Sequence, residues 1–192
     1  MNRAVFLDRD GVINRKAPEG EYITRWEAMQ ILPGAATAIR LLNQAGFRVI
    51  VATNQRCVAR GLISAAELEL LHRRMRESLA AAGATIDAIF CCPHDLEPAC
   101  SCRKPSPGLL LEAARAHGLS LASSWMIGDS DSDVAAGKSA GCKTVRLLDG
   151  DESSQSAPDI IATNLFDAVL EILRSDGNAA RGHEAGLAQS RP

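Results

Sequence analysis

Short, mostly apolar runs alternate along this chain with longer segments whose apolar residues recur at helical spacing. Such runs are typical of strands that are buried on both faces of a parallel sheet. The pattern predicts strands at 4–7, 47–52, 86–91, 124–127, 144–147 and 160–161, and helices at 34–44, 64–82, 106–118, 133–140 and 165–173. Strands that alternate with helices in this way predict an α/β fold, in which helices cover both faces of one central parallel sheet.

Two of the predicted helices carry start signals. Ser64 and Glu67 have the spacing of a capping box, in which each residue satisfies a backbone N–H of the other. Ser106 is predicted to be an N-cap, because Pro107 follows it at the position that proline favours in a first helical turn.

Length and composition limit the class of protein. The 192 residues suffice for one well-buried domain, which we expect over 1–175, and the aperiodic Gly- and Ala-rich segment 176–192 predicts a disordered tail. A net charge of −2 does not indicate nucleic acid or an anionic membrane as a partner. No apolar run approaches the roughly 20 residues of a membrane span, and Asp8 interrupts any secretory signal. We therefore expect a cytoplasmic monomer.

Polar residues follow the predicted strands at the edge where parallel sheets bind ligands. These residues are Asp8, Asp10, Thr53, Lys104 and Asp129. Two carboxylates two residues apart repel each other unless a cation joins them, and Mg²⁺ is commonly held by a few carboxylates together with substrate phosphate. Asp133 adds another acid, Lys104 a positive charge and Thr53 a hydroxyl. The set predicts a site for a phosphoryl group, although Asp8 and Asp10 taken alone would also fit a solvated turn.

The cysteines are clustered in a way that favours a metal site. Four of the six fall between Cys91 and Cys102, whereas a disulfide framework would be spread along the chain. Three sulfurs and one imidazole are the ligand set of a closed tetrahedral zinc site, here Cys92, His94, Cys100 and Cys102. The other cysteines are interpreted as packing residues, and His72, His117 and His183 as surface residues.

Four short motifs occur in an order that resembles the haloacid dehalogenase superfamily. They are the segment 6–14 with Asp8 and Asp10, the segment 53–55, Lys104, and Gly128-Asp129 with Asp133. The resemblance covers about residues 4 to 148. It implies a three-layer Rossmann-like fold and Mg²⁺-dependent phosphatase chemistry. We expect no large cap domain, because the helix predicted at 64–82 belongs to the core pattern.

The resemblance also implies roles for the motif residues. Asp8 would be the nucleophile and Asp10 the general acid and base. Thr53 and Lys104 would stabilise the phosphoryl group. The Mg²⁺ ligands would be Asp8, Asp10 (through its backbone carbonyl) and Asp129, while Asp133 would orient Lys104 or support the metal shell.

The cysteine-rich loop at 92–102 resembles that of a zinc-loop subfamily of phosphatases. Members of this subfamily act on D-glycero-D-manno-heptose 1,7-bisphosphate or on histidinol phosphate, so the resemblance implies a small phosphorylated metabolite, and first a sugar bisphosphate. The implied substrate-binding residues are Glu21, Tyr22, Asn54, Gln55, Arg56 and Arg103. The zinc would brace the loop that carries Arg103 and Lys104, and it would take no part in the chemistry.

One departure from the subfamily keeps the substrate open. Only residues 95–99 separate His94 from Cys100, whereas well-known members have a longer insertion there. This leaves the anomer and the sugar itself undecided, with histidinol phosphate or another small sugar phosphate as the alternative. A different class of function is also open, namely a non-catalytic, zinc-stabilised binding protein.

Overall fold

The computed structural model describes residues 2–148 and 156–188, the last of these (177–188) as backbone only. Its strands are β1 (Ala4–Leu7), β2 (Arg48–Asn54), β3 (Ala88–Cys92), β4 (Trp125–Gly128), β5 (Lys143–Leu147) and β6 (Ile160–Ala162). Its helices are α1 (Ala35–Gln44), α2 (Ala65–Ala81), α3 (Gly108–His117), α4 (Asp131–Ala140) and α5 (Leu165–Ala188), with 3-10 turns at Trp26–Ala28 and Leu121–Ser123.

The strands form one parallel sheet in the order β3-β2-β1-β4-β5-β6. β1 lies at the centre, with Leu7 opposite Val51 of β2 and Ile127 of β4. The strand order reverses direction at β1, and in doubly wound sheets the ligand crevice opens at that point, beyond the carboxyl ends of the strands. The topology therefore places Asp8, directly after β1, at the expected crevice.

Two apolar cores cover the two faces of the sheet. Alternate residues of a strand point to opposite faces, so Val5 and Leu7 pack into one core while Ala4 and Phe6 pack into the other. The first core includes the buried sides of α1, α2 and α5, and the second those of α3 and the end of α4. This arrangement confirms the predicted three-layer α/β fold.

Helix α2 is part of this fold and not of a separate cap. Its capping box is present as predicted, with the Glu67 N–H donating to Ser64 Oγ at 3.2 Å and the Ser64 N–H donating to Glu67 Oε2 at 2.8 Å. Leu71 and Met75 bury its inner side in the first core. Within the part of the chain that the structure describes, no large cap domain is inserted, as predicted.

The start of α3 differs from the prediction. The N-cap is Pro107 and not Ser106, and no side chain caps this helix. A Cβ at Gly108 would lie 2.2 Å from the carbonyl oxygen of Ser101, so the first turn of α3 packs directly on the cysteine-rich loop.

Helix α5 continues beyond its predicted end at residue 173 as far as Ala188. The backbone of 176–188 is therefore helical, although a disordered tail was expected there. Val169 and Ile172 anchor the helix in the core, and the alanines beyond residue 176 favour its extension while the three glycines there oppose it. Residues 189–192 lie outside the described residues, and the domain boundary at 175 stays a prediction.

No helix within residues 2–148 and 156–188 is both long enough and apolar enough to cross a membrane.

Candidate active site

A buried lysine joins two acids at the carboxyl edge of the sheet. Lys104 Nζ lies 2.8 Å from Asp8 Oδ1 and 2.5 Å from Asp133 Oδ1. The lysine and Asp133 side chains are almost fully buried, and that of Asp8 is 15% exposed. The loop before α3 supplies Lys104, and the Asp8 N–H is fixed by donating to the Ile127 carbonyl at 3.0 Å. Three segments distant in the sequence therefore meet at one ammonium group.

Asp133 is held in place by the start of α4. Its Oδ2 accepts hydrogen bonds from the Ser130 N–H at 3.1 Å and from Ser130 Oγ at 2.6 Å, as part of a capping box. The other oxygen, Oδ1, contacts Lys104. One carboxylate thus caps a helix and orients the lysine.

A third acid, Asp129, follows β4 in the same cluster. One carboxylate oxygen each from Asp8, Asp129 and Asp133 lies within 4.8 Å of the others. The Asp129 carboxylate requires a glycine opposite it, since a Cβ on Gly11, whose φ is +86°, would lie 2.3 Å from Asp129 Oδ2. Lys16 Nζ reaches the same oxygen at 2.8 Å from the rim.

The charges of this cluster are not balanced by Lys104. Burial first, and then the charges of Asp133 and Asp10, raise the pKa of Asp8 to about 7, although Lys104 opposes the shift. The pKa of Lys104 is itself raised by Asp133 and Asp8 against the effect of burial. The three carboxylates outnumber the two ammonium groups that contact them, Lys104 and Lys16. Hard oxygen donors 4.8 Å or less apart fit a divalent cation such as Mg²⁺.

Asp10 has the opposite environment. Its Oδ2 accepts from Arg9 Nη2 at 2.8 Å and from Gln55 Nε2 at 2.9 Å, and its Oδ1 accepts from Asn14 Nδ2 at 2.8 Å. Burial raises the pKa of Asp10, but the Arg9 guanidinium and these hydrogen bonds outweigh burial and lower it below 3.8. The two acids of the first motif therefore differ in the proton affinity that their surroundings impose.

The residues of the second motif contact Asp10 and Lys104. Gln55 Nε2 also donates to Thr53 Oγ1 at 2.9 Å, and both side chains are buried. Asn54 donates to the backbone carbonyl of Lys104 and accepts from its N–H, both at 3.1 Å. Asn54 and Gln55, which the resemblance assigns to substrate, thus hold Lys104 and Asp10 in position.

A cavity of about 380 Å³ opens over these groups. Of the predicted catalytic residues it is lined by Asp8, Asp10 and Lys104, which we call its base, and the substrate candidates Asn54 and Gln55 also line it. The charged or aromatic residues that we call its rim are Lys16, Glu19, Glu21, Tyr22 and Arg103. This volume lies in the range of small-molecule sites. The remaining substrate candidate, Arg56, does not line the cavity, because its guanidinium pairs with Asp95 of the cysteine-rich loop.

The four expected zinc ligands form a compact cluster. The donor atoms of Cys92, His94, Cys100 and Cys102 all lie within 4.8 Å of one another, with sulfur–sulfur distances of 3.2 to 3.6 Å. A tetrahedral zinc with Zn–S bonds of about 2.3 Å would place its sulfurs roughly 3.7 Å apart. The four side chains therefore fit a tetrahedral metal ion.

Sequence reasoning missed three residues around the site. Arg9 is fully buried and pairs with Asp10, and His72, expected at the surface, is 3% exposed and contacts Arg9. Lys16 lines the cavity and pairs with Asp129. Only Arg9 carried a signal in the sequence, since a charged side chain between two clustered acids was available to pair with one of them.

The sequence matches known proteins over most of its length. A family model described as HAD-hydrolase-like matches residues 101–171. The D-glycero-beta-D-manno-heptose-1,7-bisphosphate 7-phosphatase of Rhodopseudomonas palustris is 45% identical over 151 residues, which are 75% of this chain and 82% of that protein. The D-glycero-alpha-D-manno-heptose-1,7-bisphosphate 7-phosphatase of Mycobacterium bovis is 38% identical over 181 residues, 91% of this chain and 92% of that protein.

A solved structure shares the fold. The D,D-heptose 1,7-bisphosphate phosphatase from B. bronchiseptica, complexed with magnesium and phosphate, superposes with a TM-score of 0.83 at 34% identity. The match covers 91% of this chain and 99% of that one.

Neutralising Asp8 should stabilise the protein in magnesium-free buffer. The folded-state pKa of about 7 lies above the unfolded value of 3.8, so the contribution of Asp8 to stability is complete below the unfolded value and is lost as pH rises through about 7. Asp8→Asn should raise the free energy of unfolding by roughly 1–3 kcal/mol at pH 8 and by less at pH 5.5. Denaturant unfolding measures this, with Glu112→Gln on the exposed side of α3 as control. A loss of stability at pH 8 would contradict it.

Proposed function

Because the chain belongs to the haloacid-dehalogenase-like phosphatases, in the family of the heptose-1,7-bisphosphate 7-phosphatases, we propose that it hydrolyses the 7-phosphate of D-glycero-D-manno-heptose 1,7-bisphosphate. The observation that supports this most directly is the contact of Lys104 Nζ with Asp8 at 2.8 Å, at the base of a cavity that three acids also reach. A nucleophilic carboxylate beside a fixed ammonium group is an arrangement suited to phosphoryl transfer.

The acid cluster is the proposed place of Mg²⁺. Asp8, Asp129 and the backbone carbonyl of Asp10 would hold the ion, with Asp133 behind them. Bound there, the ion would offset the negative charge of the phosphoryl group and orient it against Asp8.

In the first step Asp8 and Asp10 act together. A carboxylate oxygen of Asp8 attacks phosphorus, and the bond from phosphorus to the sugar oxygen breaks with its electron pair on that oxygen. Asp10 gives its proton to the leaving oxygen. The approach of a phosphate dianion favours the protonated form of Asp10, whose pKa is low without substrate. Lys104 and Thr53 stabilise the transferred group.

In the second step Asp10 reverses its role. It accepts a proton from a water molecule, whose oxygen attacks the phosphorus of the aspartyl-phosphate. The bond between phosphorus and the Asp8 oxygen breaks, so inorganic phosphate leaves and both Asp8 and the protonated Asp10 are restored.

Charges at the rim bear on the choice of substrate. Arg103 and Lys16 line the cavity and would suit the second phosphate of a bisphosphate, although Lys16 also contacts Asp129. Glu19 and Glu21 line the same rim, and they favour the second candidate, histidinol phosphate, because its amine is cationic. The names of the relatives include both the alpha and the beta anomer of the heptose. The kinetic comparison below therefore tests both anomers.

We also propose that the cysteine–histidine cluster holds zinc. The cluster directly precedes Arg103 and Lys104 in the chain, and Arg103 Nη1 donates to the His94 carbonyl at 3.3 Å. A metal that fixes Cys100 and Cys102 would therefore fix the start of the segment that presents both cations to the cavity.

Asp8→Asn should lower kcat by roughly 10³-fold or more, because the amide cannot form the phosphoryl intermediate. Turnover of an aryl phosphate with added Mg²⁺, compared with the wild type at equal folded concentration by circular dichroism, measures the loss. A wild type without turnover, indistinguishable from the variant, would favour the non-catalytic binding protein. Substantial activity in the variant would exclude the aspartyl-phosphate.

Cys100→Ser should remove bound zinc and lower Tm by roughly 3–10 °C, because structural zinc contributes folding free energy. Metal analysis and a thermal melt report both effects. Cys91→Ala is the matched control, since Cys91 adjoins a ligand but lies outside the cluster. If wild-type protein without zinc had the same Tm as wild-type protein with zinc, the assignment would be wrong.

The names of the relatives and the position of Arg103 in the cavity predict that the sugar bisphosphate has a kcat/KM about tenfold or more above that of histidinol phosphate. Arg103→Met should reduce that ratio by roughly 10- to 100-fold, because a charge-assisted contact to the second phosphate is worth about 1.5–3 kcal/mol. Side-by-side kinetics with both heptose bisphosphate anomers and histidinol phosphate decide this. Arg115→Met, an exposed arginine of α3, is the control. A higher kcat/KM for histidinol phosphate would reverse the assignment.

A further inference from the structure

The carboxylate of Asp10, the proposed general acid and base, is bound by a buried arginine, Arg9. Arg9 is 0% exposed, and a buried guanidinium is costly unless it is paired. It contacts Asp10 through three N···O pairs: Nη2 to Oδ2 at 2.8 Å, Nη2 to Oδ1 at 3.0 Å and Nε to Oδ1 at 3.2 Å. This bidentate contact fixes the plane of the carboxylate as well as its position.

The arginine is itself fixed from the other side by His72. Arg9 Nη1 lies 3.2 Å from His72 Nε2. A guanidinium has only donors, so His72 must accept through an unprotonated Nε2 and carry its proton on Nδ1. Burial first, and then the charge of Arg9, lower the pKa of His72 to about 4, which agrees with a neutral imidazole.

His72 is anchored in the rigid part of the fold. It lies on α2 beside Leu68, Leu71 and Met75, which pack in the first core. A continuous chain of contacts therefore runs from this packed helix through His72 and Arg9 to Asp10. The side chain of Asp10 is 24% exposed and reaches the cavity.

We propose that His72 is a positioning residue for the reaction: it holds the Arg9 guanidinium, which in turn holds the Asp10 carboxylate where the leaving oxygen of the substrate lies. Without an acceptor at His72, Arg9 Nη1 loses that partner, and the guanidinium is held less firmly, through its contacts with Asp10. Asn14 and Gln55 still hold Asp10, so the carboxylate remains but is less well aimed. The inference rests on the proposed role of Asp10 as general acid.

The test uses leaving groups that differ in their need for a proton. Sugar alkoxide must be protonated as it leaves, whereas 4-nitrophenolate leaves without a proton. Because kcat/KM covers the steps up to release of the leaving group, we compare its values for heptose bisphosphate and for 4-nitrophenyl phosphate. In a variant such as His72→Leu, which leaves the residues lining the cavity unchanged, a change in this ratio reports on the acid. A general defect of folding lowers both values together.

His72→Leu should lower kcat/KM for the sugar phosphate by about 10- to 100-fold and lower it far less for the aryl phosphate. His72→Gln should recover most of the loss, because its Oε1 can accept from Arg9. Asp10→Asn should show the same selectivity with a loss of about 10²- to 10⁴-fold. His117→Leu, on α3 across the sheet, should keep the wild-type ratio.

The possible outcomes distinguish the positioning role of His72 from the acid role of Asp10. Equal losses on both substrates in His72→Leu, with Asp10→Asn selective, would overturn the positioning role and leave the proposed function standing. An unselective Asp10→Asn would overturn the acid role, and the positioning role with it. If His72→Leu does not fold, His72→Phe carries the same test, because it keeps a planar ring at this position and lacks the acceptor for Arg9.

Discussion

One ammonium group, that of Lys104, permits acids from separate chain segments to lie together at the end of the sheet. Each of its two carboxylate partners is fixed independently, Asp8 by the central strand and Asp133 by the cap of α4. The lysine backbone is fixed in turn by the side-chain amide of Asn54. Because buried charges are tolerated only when they are paired, these contacts must form together, and they determine how the loops meet.

The two acids of the first motif, Asp8 and Asp10, have different surroundings, which shift their pKa values in opposite directions. Burial and neighbouring acids raise the pKa of Asp8 to about 7, so a cation beside Asp8 would favour the charged form that attacks phosphorus. Asp10 receives donors from Arg9, Asn14 and Gln55, which lower its pKa. In sites where one acid is a nucleophile and the other transfers protons, the raised pKa usually belongs to the proton donor. Here the two shifts are the other way round, so the proposed roles require a cation beside Asp8 and the phosphate dianion beside Asp10.

The cysteine-rich loop acts at a distance from this chemistry. It contacts the first turn of α3 at Gly108 and pairs Asp95 with Arg56, so it is tied both to a helix and to the loop after β2. Arg103 and Lys104 lie between these attachments and the cavity. The loop is therefore a brace for two cations, and its shortness is compatible with an open cavity.

The sequence alone was sufficient for the layered fold and for the groups whose chemistry is unusual at a strand end, namely Asp8, Lys104, Asp129 and the cysteine cluster. Periodicity fixes which face of an element is buried, and parallel strands bring their carboxyl ends together. Tertiary structure alone decided where His72 and Arg56 point. His72 meets Arg9 across 63 residues and Arg56 meets Asp95 across 39. The direction of a polar side chain depends on the partner that packing brings to it, and no local pattern records that partner.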